Sequence, residues 1–150
     1  IVSGPEMSVA ERDAIKVRLV GVPNVRFDEF NDDMASCIAA ADGIVSMGGY
    51  NTVCEVLSAR KPALIVPRSK PVLEQTLRAE RMARLGWIKC LRLEAATPDA
   101  LISGAIRMTN SGLAQVRARR HVPFDGLDRI AQIVSGAPLA VEPAHVGASM

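Results

Sequence analysis

Short apolar runs alternate with amphipathic stretches along most of this chain, and this alternation constrains the fold more than any other feature. The runs GIVSM (43–47) and PALIVP (62–67) are rich in β-branched residues and apolar at successive positions, which is typical of strands buried on both faces. The stretch LEQTLRAERMARL (73–85) has the period of an amphipathic helix and ends at Gly86. Strand and helix repeated four or five times predict an open parallel α/β sheet with helices on both faces.

The other predicted elements follow the same alternation. Ser8 and Glu11 form a capping box that opens a helix ending near position 19. Asn31 or Asp32 is expected to cap the next helix. Further strands are expected at 1–3, 25–27 and 87–93, and further helices at 50–60, 98–109 and 127–134.

The composition indicates a core of aliphatic side chains. Apolar residues make up 49% of the chain but aromatic residues only 3%, so Val, Ile, Leu and Ala must fill the core. The formal net charge is +2, from 18 basic and 16 acidic residues, whereas nucleic-acid-binding domains usually carry a larger and more clustered excess. We therefore expect no nucleic-acid partner.

The cysteines and the lack of a long apolar segment bear on the compartment. Cys37, Cys54 and Cys90 form no CxxC pair, so we expect small core residues in a reducing compartment and no metal site. There is no signal peptide and no apolar stretch near 18 residues. A cytoplasmic location is expected. Membrane association of the full protein stays open, although nothing in these residues indicates it.

The chain is expected to form one domain over residues 1–134, followed by a loosely held tail at 135–150. The tail contains Gly, Pro and Ala without a helical or strand period. The chain begins IVSGP, without a Met and inside a predicted strand. This favours a piece of a longer polypeptide whose first strand is truncated.

The segment SMGGYNT (46–52) lies where a buried strand gives way to a helix. In an open α/β sheet, ligands bind beyond the carboxyl ends of the strands. Gly48 and Gly49 would let the backbone approach a ligand, and the exposed N–H groups of a helix start favour an anion such as phosphate. Asn51 and Thr52 add side-chain donors in the first turn.

Glu55 lies too far into this predicted helix to cap it. Its carboxylate could face the same crevice and accept two hydroxyl hydrogen bonds, as from a ribose diol beside a diphosphate. A structural interpretation stays open, because Gly-Gly turns often only make a tight connection and a helical Glu usually faces solvent. The pattern is neither GxGxxG nor GxxxxGK[ST], so neither a dinucleotide site of that type nor an ATPase is indicated.

The segment from Asp32 to Gly86 resembles the donor-binding, C-terminal domain of GT-B glycosyltransferases, in glycosyltransferase family 28. The specific parts are GGYNTVCE (48–55), PALIVP at the right distance, and EQTLRA (74–79). The resemblance runs from residue 3 to about residue 108. It is closest to the group that contains the enzyme adding N-acetylglucosamine to lipid I in peptidoglycan synthesis.

The resemblance implies roles for the glycine turn and the helix that follows it. Gly48, Gly49 and Tyr50 match the loop whose backbone holds the donor diphosphate. Thr52 matches a residue near the diphosphate and the sugar. Glu55 matches the acidic residue that binds the ribose hydroxyls.

Two earlier segments complete the implied nucleotide site. Ser3 and Gly4 match the loop after the first strand, where they would approach a phosphate. Asn31, Asp32 and Met34 belong to EFNDDM (29–34), which matches the segment whose backbone reads the edge of the base.

The stretch EQTLRA both matches the family pattern and departs from it. Gln75 matches a residue that contacts the hydroxyls of the donor sugar. Glu74 stands where the lipid I enzyme has a second Gln, and Arg78 stands where it has an Asn. Both positions face the sugar, so the departures bear on which sugar is carried. They are more typical of another bacterial branch of the family than of the peptidoglycan enzyme.

The implied reaction transfers a sugar from a nucleotide diphosphate, a UDP-sugar by family habit, to an acceptor hydroxyl without a bound metal or other cofactor. The catalytic base would come from an N-terminal acceptor-binding domain, so this chain alone is expected to bind the donor without turnover. Three alternatives stay open: a GT-B-fold epimerase acting on a nucleotide sugar, a non-catalytic nucleotide-binding subunit, and an α/β binding module unrelated to sugars.

Overall fold

The computed structural model describes residues 1–68, 73–117, 122 and 124–136, with backbone only at 111–117. Helices and short strands alternate along the described residues. In chain order they are α1 (Val9–Leu19), α2 (Met34–Ala40), β1 (Ile44–Ser46), α3 (Tyr50–Ser58), β2 (Ala63–Ile65), α4 (Glu74–Arg84), β3 (Lys89–Cys90), α5 (Pro98–Arg117) and α6 (Gly126–Ser135).

The chain divides into two compact units, Ile1–Arg119 and Arg120–Met150. The sheet and every residue of the predicted site belong to the first unit, and α6 belongs to the second. The predicted single domain over 1–134 is not tested by this division and stays a prediction. Most of the predicted tail, residues 137–150, lies outside the described residues.

The three strands form a parallel sheet in the order β1-β2-β3. Its register places Ser46 opposite Ile65, and Ile65 opposite Cys90. Successive side chains of a strand point to opposite faces, and all three residues of β2 are buried, so both faces of the sheet are covered at its centre. The predicted open parallel α/β sheet is therefore confirmed.

The described residues contain fewer sheet strands than the sequence predicts. Instead of strands at 1–3 and 25–27, Val2 and Asp28 form an isolated parallel bridge. Asn24 has a left-handed φ of +61°, so the chain turns immediately before the second of these predicted strands. The strand expected at 87–93 is shortened, because Leu93–Ala95 form a 3₁₀ turn.

Short sequence motifs predicted the start of α1 correctly but not the cap of α2. The capping box of α1 is confirmed: the Glu11 N–H donates to Ser8 Oγ at 3.3 Å, and the Ser8 N–H donates to the Glu11 carboxylate at 3.0 Å. The predicted cap of α2 was wrong, because Asp33 accepts from the Ser36 N–H at 3.1 Å. Asn31 instead accepts from the Asp33 N–H at 2.7 Å and so shapes the turn before that helix.

The remaining helices and the cysteines show mixed agreement with the predictions. The helix predicted at 127–134 is confirmed as α6, while α5 runs eight residues beyond its predicted end at 109, to Arg117. The expectation of a buried Cys37 was wrong, because α2 buries only Ile38. Cys90 is partly buried, and this burial raises the pKa of its thiol. Across the described segments, no helix is both long and apolar enough to cross a membrane.

Ion pairs of Glu29 hold the segment that follows the Val2–Asp28 bridge against α1. The Glu29 carboxylate pairs with Lys16 and, at 3.2 Å, with Nη1 of Arg12. The hydrogen bond from Lys16 lowers the pKa of Glu29, and the same bond raises the pKa of Lys16. The Glu29 contribution to stability is present above the ordinary carboxyl pKa and is lost as pH falls through the lowered value. The Lys16 contribution is present below its ordinary pKa and is lost as pH rises through the raised value.

We therefore expect the thermal midpoint to fall as the solution is acidified below about pH 4.5, and Glu29→Gln to make this fall shallower. Thermal unfolding followed by circular dichroism between about pH 3 and pH 7 gives the change of the thermal midpoint with pH for the wild type and for Glu29→Gln. Glu6→Gln is the matched control, because Glu6 is exposed and has no ion pair among the described residues. If the thermal midpoint of Glu29→Gln fell with acidification as steeply as that of the wild type, the contribution assigned to the Glu29 ion pairs would be wrong.

Candidate functional site

Gly48 and Gly49 join the carboxyl end of β1 to the start of α3. Gly48 has φ +77°, and a Cβ added to it would lie 2.6 Å from Cγ2 of Ile65, so only glycine fits there. Its N–H donates to Oγ of Ser46 at 3.2 Å. A Cβ added to Gly49 meets no atom within 4 Å. The fold therefore requires the first glycine, while the second faces open space.

The first turn of α3 has the properties of an anion-binding helix end. Its N-cap is Gly49, and among the described residues no side chain caps it. The first N–H groups of a helix have no partner within the helix, and the helix dipole adds partial positive charge there. The predicted residues Tyr50, Asn51 and Thr52 make up this turn. The first two are exposed and the third is half-buried.

A cleft of about 870 Å³ lies beside this turn, within the first unit. Its volume falls in the range of about 300–1,000 Å³ that is usual for small-molecule sites. It is bounded by residues from the N-terminal segment, α2 and β1. The structure places five predicted site residues on its lining: Ser3, Gly4, Asn31, Met34 and Thr52. Asp32 is exposed and is not among the lining residues.

The N-terminal wall of the cleft is held by main-chain and side-chain bonds. The Ser3 N–H donates to the Asp28 carbonyl at 3.1 Å, and the Ser3 hydroxyl donates to the Glu29 carbonyl at 2.9 Å. Gly4 has φ +79°, which allows the sharp turn after this segment. Nη2 of Arg12 donates to the Pro5 carbonyl at 3.1 Å, so α1 holds the loop from outside.

A second group of predicted residues is assembled by Arg78, which lies on α4. Its Nη2 donates to the Gly48 carbonyl at 2.8 Å, and its guanidinium carbon lies 5.6 Å from the centroid of the Tyr50 ring. It also forms an ion pair with Glu74, one turn earlier on the same helix. The structure thus brings Gly48, Tyr50, Glu74 and Arg78 together, although none of them lines the cleft.

Gln75 and Glu55 carry polar atoms without partners in the described part of the chain. Oε1 of Gln75 is buried and accepts no hydrogen bond there, which is a costly state for an amide oxygen. Glu55 is half-buried, and its carboxylate has no hydrogen bond or ion pair with a described residue. It follows Thr52 by three positions, so both lie on one face of α3. The roles expected for these residues stay predictions.

Sequence reasoning missed Ser46 and Met47, which line the cleft at the carboxyl end of β1. Ser46 also accepts the Gly48 N–H, so it connects the cleft to the glycine turn. Its position as the last residue of a buried strand, directly before the glycines, was the available signal. Within the ranges that the structure describes, no three His, Cys, Asp or Glu side chains converge as a metal site.

Comparison with known families decides what kind of domain carries this site. The model of the glycosyltransferase family 28 C-terminal domain matches residues 2–131. The chain belongs to glycosyltransferase family 28. The resemblance expected from GGYNTVCE, PALIVP and EQTLRA is thereby confirmed.

Two curated family 28 relatives illustrate the similarity. One, from Pectobacterium carotovorum subsp. carotovorum, is 35% identical over 121 residues, which are 79% of this chain and 33% of the relative. Another, from Klebsiella pneumoniae subsp. pneumoniae, is 34% identical over 122 residues, which are 80% of this chain and 34% of the relative. Both are named UDP-N-acetylglucosamine–N-acetylmuramyl-(pentapeptide) pyrophosphoryl-undecaprenol N-acetylglucosamine transferase. The chain thus spans about a third of the length of these relatives.

A solved structure gives the same assignment at the level of the fold. The crystal structure of Acinetobacter baumannii MurG superposes with a TM-score of 0.70 at 25% sequence identity, over 86% of this chain and 39% of that chain. The first unit of this family 28 chain, with its parallel sheet and helices, therefore corresponds to the Rossmann-like half of a GT-B glycosyltransferase. This confirms the predicted fold class.

Proposed function

We propose that this chain is the donor-binding domain of a glycosyltransferase that transfers a sugar from a UDP-sugar to an acceptor hydroxyl. One observation carries the proposal: the Gly48–Gly49 turn opens a helix that no described side chain caps, at the carboxyl end of β1 and beside a cleft of about 870 Å³. Membership of family 28 and the UDP-N-acetylglucosamine-dependent relatives named above support a UDP-linked donor. The proposed partner is an N-terminal acceptor-binding domain, as in GT-B enzymes.

In this proposal the donor diphosphate lies against the first turn of α3. Negative charge grows on the leaving nucleoside diphosphate as the glycosidic bond breaks, and the free N–H groups and the helix dipole stabilise it where it develops. Ser3 and Gly4, which line the same cleft, approach a phosphate from the N-terminal segment. A base in the acceptor-binding domain takes the proton of the acceptor hydroxyl.

The remaining parts of the donor are assigned to separate segments. The backbone at Asn31–Met34 reads the base edge, and Glu55 accepts hydrogen bonds from the ribose hydroxyls. Gln75 contacts the hydroxyls of the sugar. The resemblance of EQTLRA (74–79) to the family pattern supports this assignment.

Isothermal titration of the protein with UDP, GDP, ADP and NAD tests the proposal. We expect UDP to bind and the other three to bind more weakly by at least about tenfold, which corresponds to about 1.4 kcal/mol. Binding of none of the four would contradict the proposal. Equal binding of all four would contradict the assignment of the base-reading segment.

Glu55→Ala is expected to weaken UDP binding by roughly 1.5–3 kcal/mol, the usual scale for hydrogen bonds to a charged group. The reason is the loss of two bonds to the ribose hydroxyls. The sharper measurement compares UDP with 2′-deoxy-UDP in the same titration. The wild type should prefer UDP, and the variant should lose most of that preference.

Asp99→Ala is the matched control for Glu55→Ala. It removes an exposed carboxylate from the first turn of α5, at a position outside the cleft lining. It should leave both affinities unchanged. If Glu55→Ala kept the wild-type preference for UDP over 2′-deoxy-UDP, the ribose assignment would be wrong.

The alternatives raised by the sequence receive less support. The relatives named above are transferases, which does not favour an epimerase. Membership of family 28 also does not favour a binding module unrelated to sugars. The cytoplasmic location stays a prediction.

A further inference from the structure

We propose that Arg78 is a positioning residue that fixes the Gly48–Gly49 turn in the conformation that receives the diphosphate. It acts through the Gly48 carbonyl and the Tyr50 ring rather than by touching the sugar. The inference rests on the proposed function for the identity of the ligand. It differs from the role that the resemblance implies for this position, which is a contact with the donor sugar.

The guanidinium of Arg78 makes three contacts at once. It donates to the Gly48 carbonyl at 2.8 Å, pairs with the Glu74 carboxylate, and lies 5.6 Å from the centroid of the Tyr50 ring. Its side chain is only 18% exposed, and its bond to the Gly48 carbonyl is partly buried, whereas Glu74 and Tyr50 are exposed. A planar, five-donor guanidinium can satisfy them together, whereas a lysine ammonium can reproduce the charge but not the geometry.

The bond to Gly48 sets the direction of the next N–H group. In a trans peptide the C=O and the following N–H point in opposite directions. Holding the Gly48 carbonyl against Arg78 therefore turns the Gly49 N–H away from α4. A Cβ at Gly49 meets no atom within 4 Å, so this residue borders open space. A cation on the carbonyl also polarises the peptide and strengthens that N–H as a donor.

A turn of two adjacent glycines needs such a restraint. Glycine loses more conformational entropy on ordering than any other residue. Ser46 holds the N–H of Gly48, and Arg78 holds its carbonyl, so this residue is fixed from both sides before any ligand arrives. Preorganisation of this kind lowers the cost of binding.

The test uses Arg78→Lys and Arg78→Gln, with Arg81→Gln as the matched control. Arg81 lies on the same helix and is exposed, and its side chain makes no hydrogen bond or ion pair with the described residues. Titration with UDP should show roughly tenfold weaker binding for both Arg78 variants and wild-type binding for the control. Titration with uridine, which lacks the diphosphate, should give the same result for all four proteins.

Hydrogen exchange in the absence of nucleotide separates positioning from direct contact. Amides at 48–52 should exchange faster in both Arg78 variants than in the wild type, while amides of β2 should be unchanged. Full UDP affinity in Arg78→Lys would overturn the inference, since charge alone would then suffice. Weaker UDP binding with unchanged exchange at 48–52 would also overturn it, because Arg78 would then contact the ligand itself.

The two proposals fail in distinguishable ways. If the wild type binds no UDP, the proposed function is contradicted, whereas faster exchange at 48–52 in the Arg78 variants still reports on the restraint. If the wild type binds UDP and both Arg78 variants bind it equally well, the proposed function stands and the inference about Arg78 is wrong.

Discussion

Gly48→Ala is expected to lower the free energy of unfolding by about 2–5 kcal/mol, from two independent causes. A left-handed φ costs an alanine about 1–2 kcal/mol, and Gly48 has φ +77°. The new methyl would also lie 2.6 Å from Cγ2 of Ile65, and forcing extra atoms into a packed core costs about 1–3 kcal/mol. Urea unfolding followed by circular dichroism measures the change.

Gly49→Ala is the matched control at the adjacent position. Gly49 has φ −52°, and a Cβ there meets no atom within 4 Å, so we expect stability to change by less than about 1 kcal/mol. The methyl would occupy the open space at the start of α3, and UDP binding should therefore weaken. Wild-type stability in Gly48→Ala would contradict the steric argument. Wild-type UDP affinity in Gly49→Ala would contradict the placement of the diphosphate.

Ile65→Ala is expected to lower the free energy of unfolding by about 2–5 kcal/mol, because it removes a large side chain from the centre of the sheet. Ile65 is 0% exposed and pairs with both neighbouring strands. Ile102→Ala is the matched control, since Ile102 on α5 is 59% exposed and should lose less than about 1 kcal/mol. If both variants lost a similar free energy of unfolding, the placement of Ile65 in the core and of Ile102 on the surface would be wrong.

The two substitutions should also interact. Ile65→Ala removes Cγ2, the atom that an alanine at position 48 would meet. Gly48→Ala should therefore cost less in the Ile65→Ala background than in the wild type, with a coupling of about 0.5–3 kcal/mol in the double-mutant cycle. Strict additivity would mean that strain in the backbone, rather than this contact, accounts for the loss.

Features set by neighbours in the sequence were predictable. The box of Ser8 and Glu11 identifies the start of α1, because each residue satisfies a backbone N–H of that turn. The run 62–67 identifies β2, since a short, wholly apolar run bounded by prolines is typical of a strand covered on both faces. The Gly48–Gly49 turn and its place at the end of a strand also followed from the local pattern.

Features set by packing between distant segments were not predictable. Arg78 reaches a carbonyl 30 positions earlier in the chain, and nothing in EQTLRA distinguishes this contact from a solvent-exposed arginine. Strand pairing was overestimated for the same reason: Val2 and Asp28 form only a single bridge, which depends on how the chain turns at Asn24.

The uncapped start of α3 has a consequence for how such a domain diverges. Under the proposal, the diphosphate is held by main-chain N–H groups, which every residue except proline supplies equally. Exchange of the side chain at Asn51 therefore leaves the phosphate contacts in place, whereas the Tyr50 ring is needed for its contact with Arg78. Residues on α4 can then be exchanged to accept a different sugar while affinity for the nucleotide is retained. An engineer seeking a new donor would vary Gln75 and leave the turn, Glu74 and Arg78 untouched.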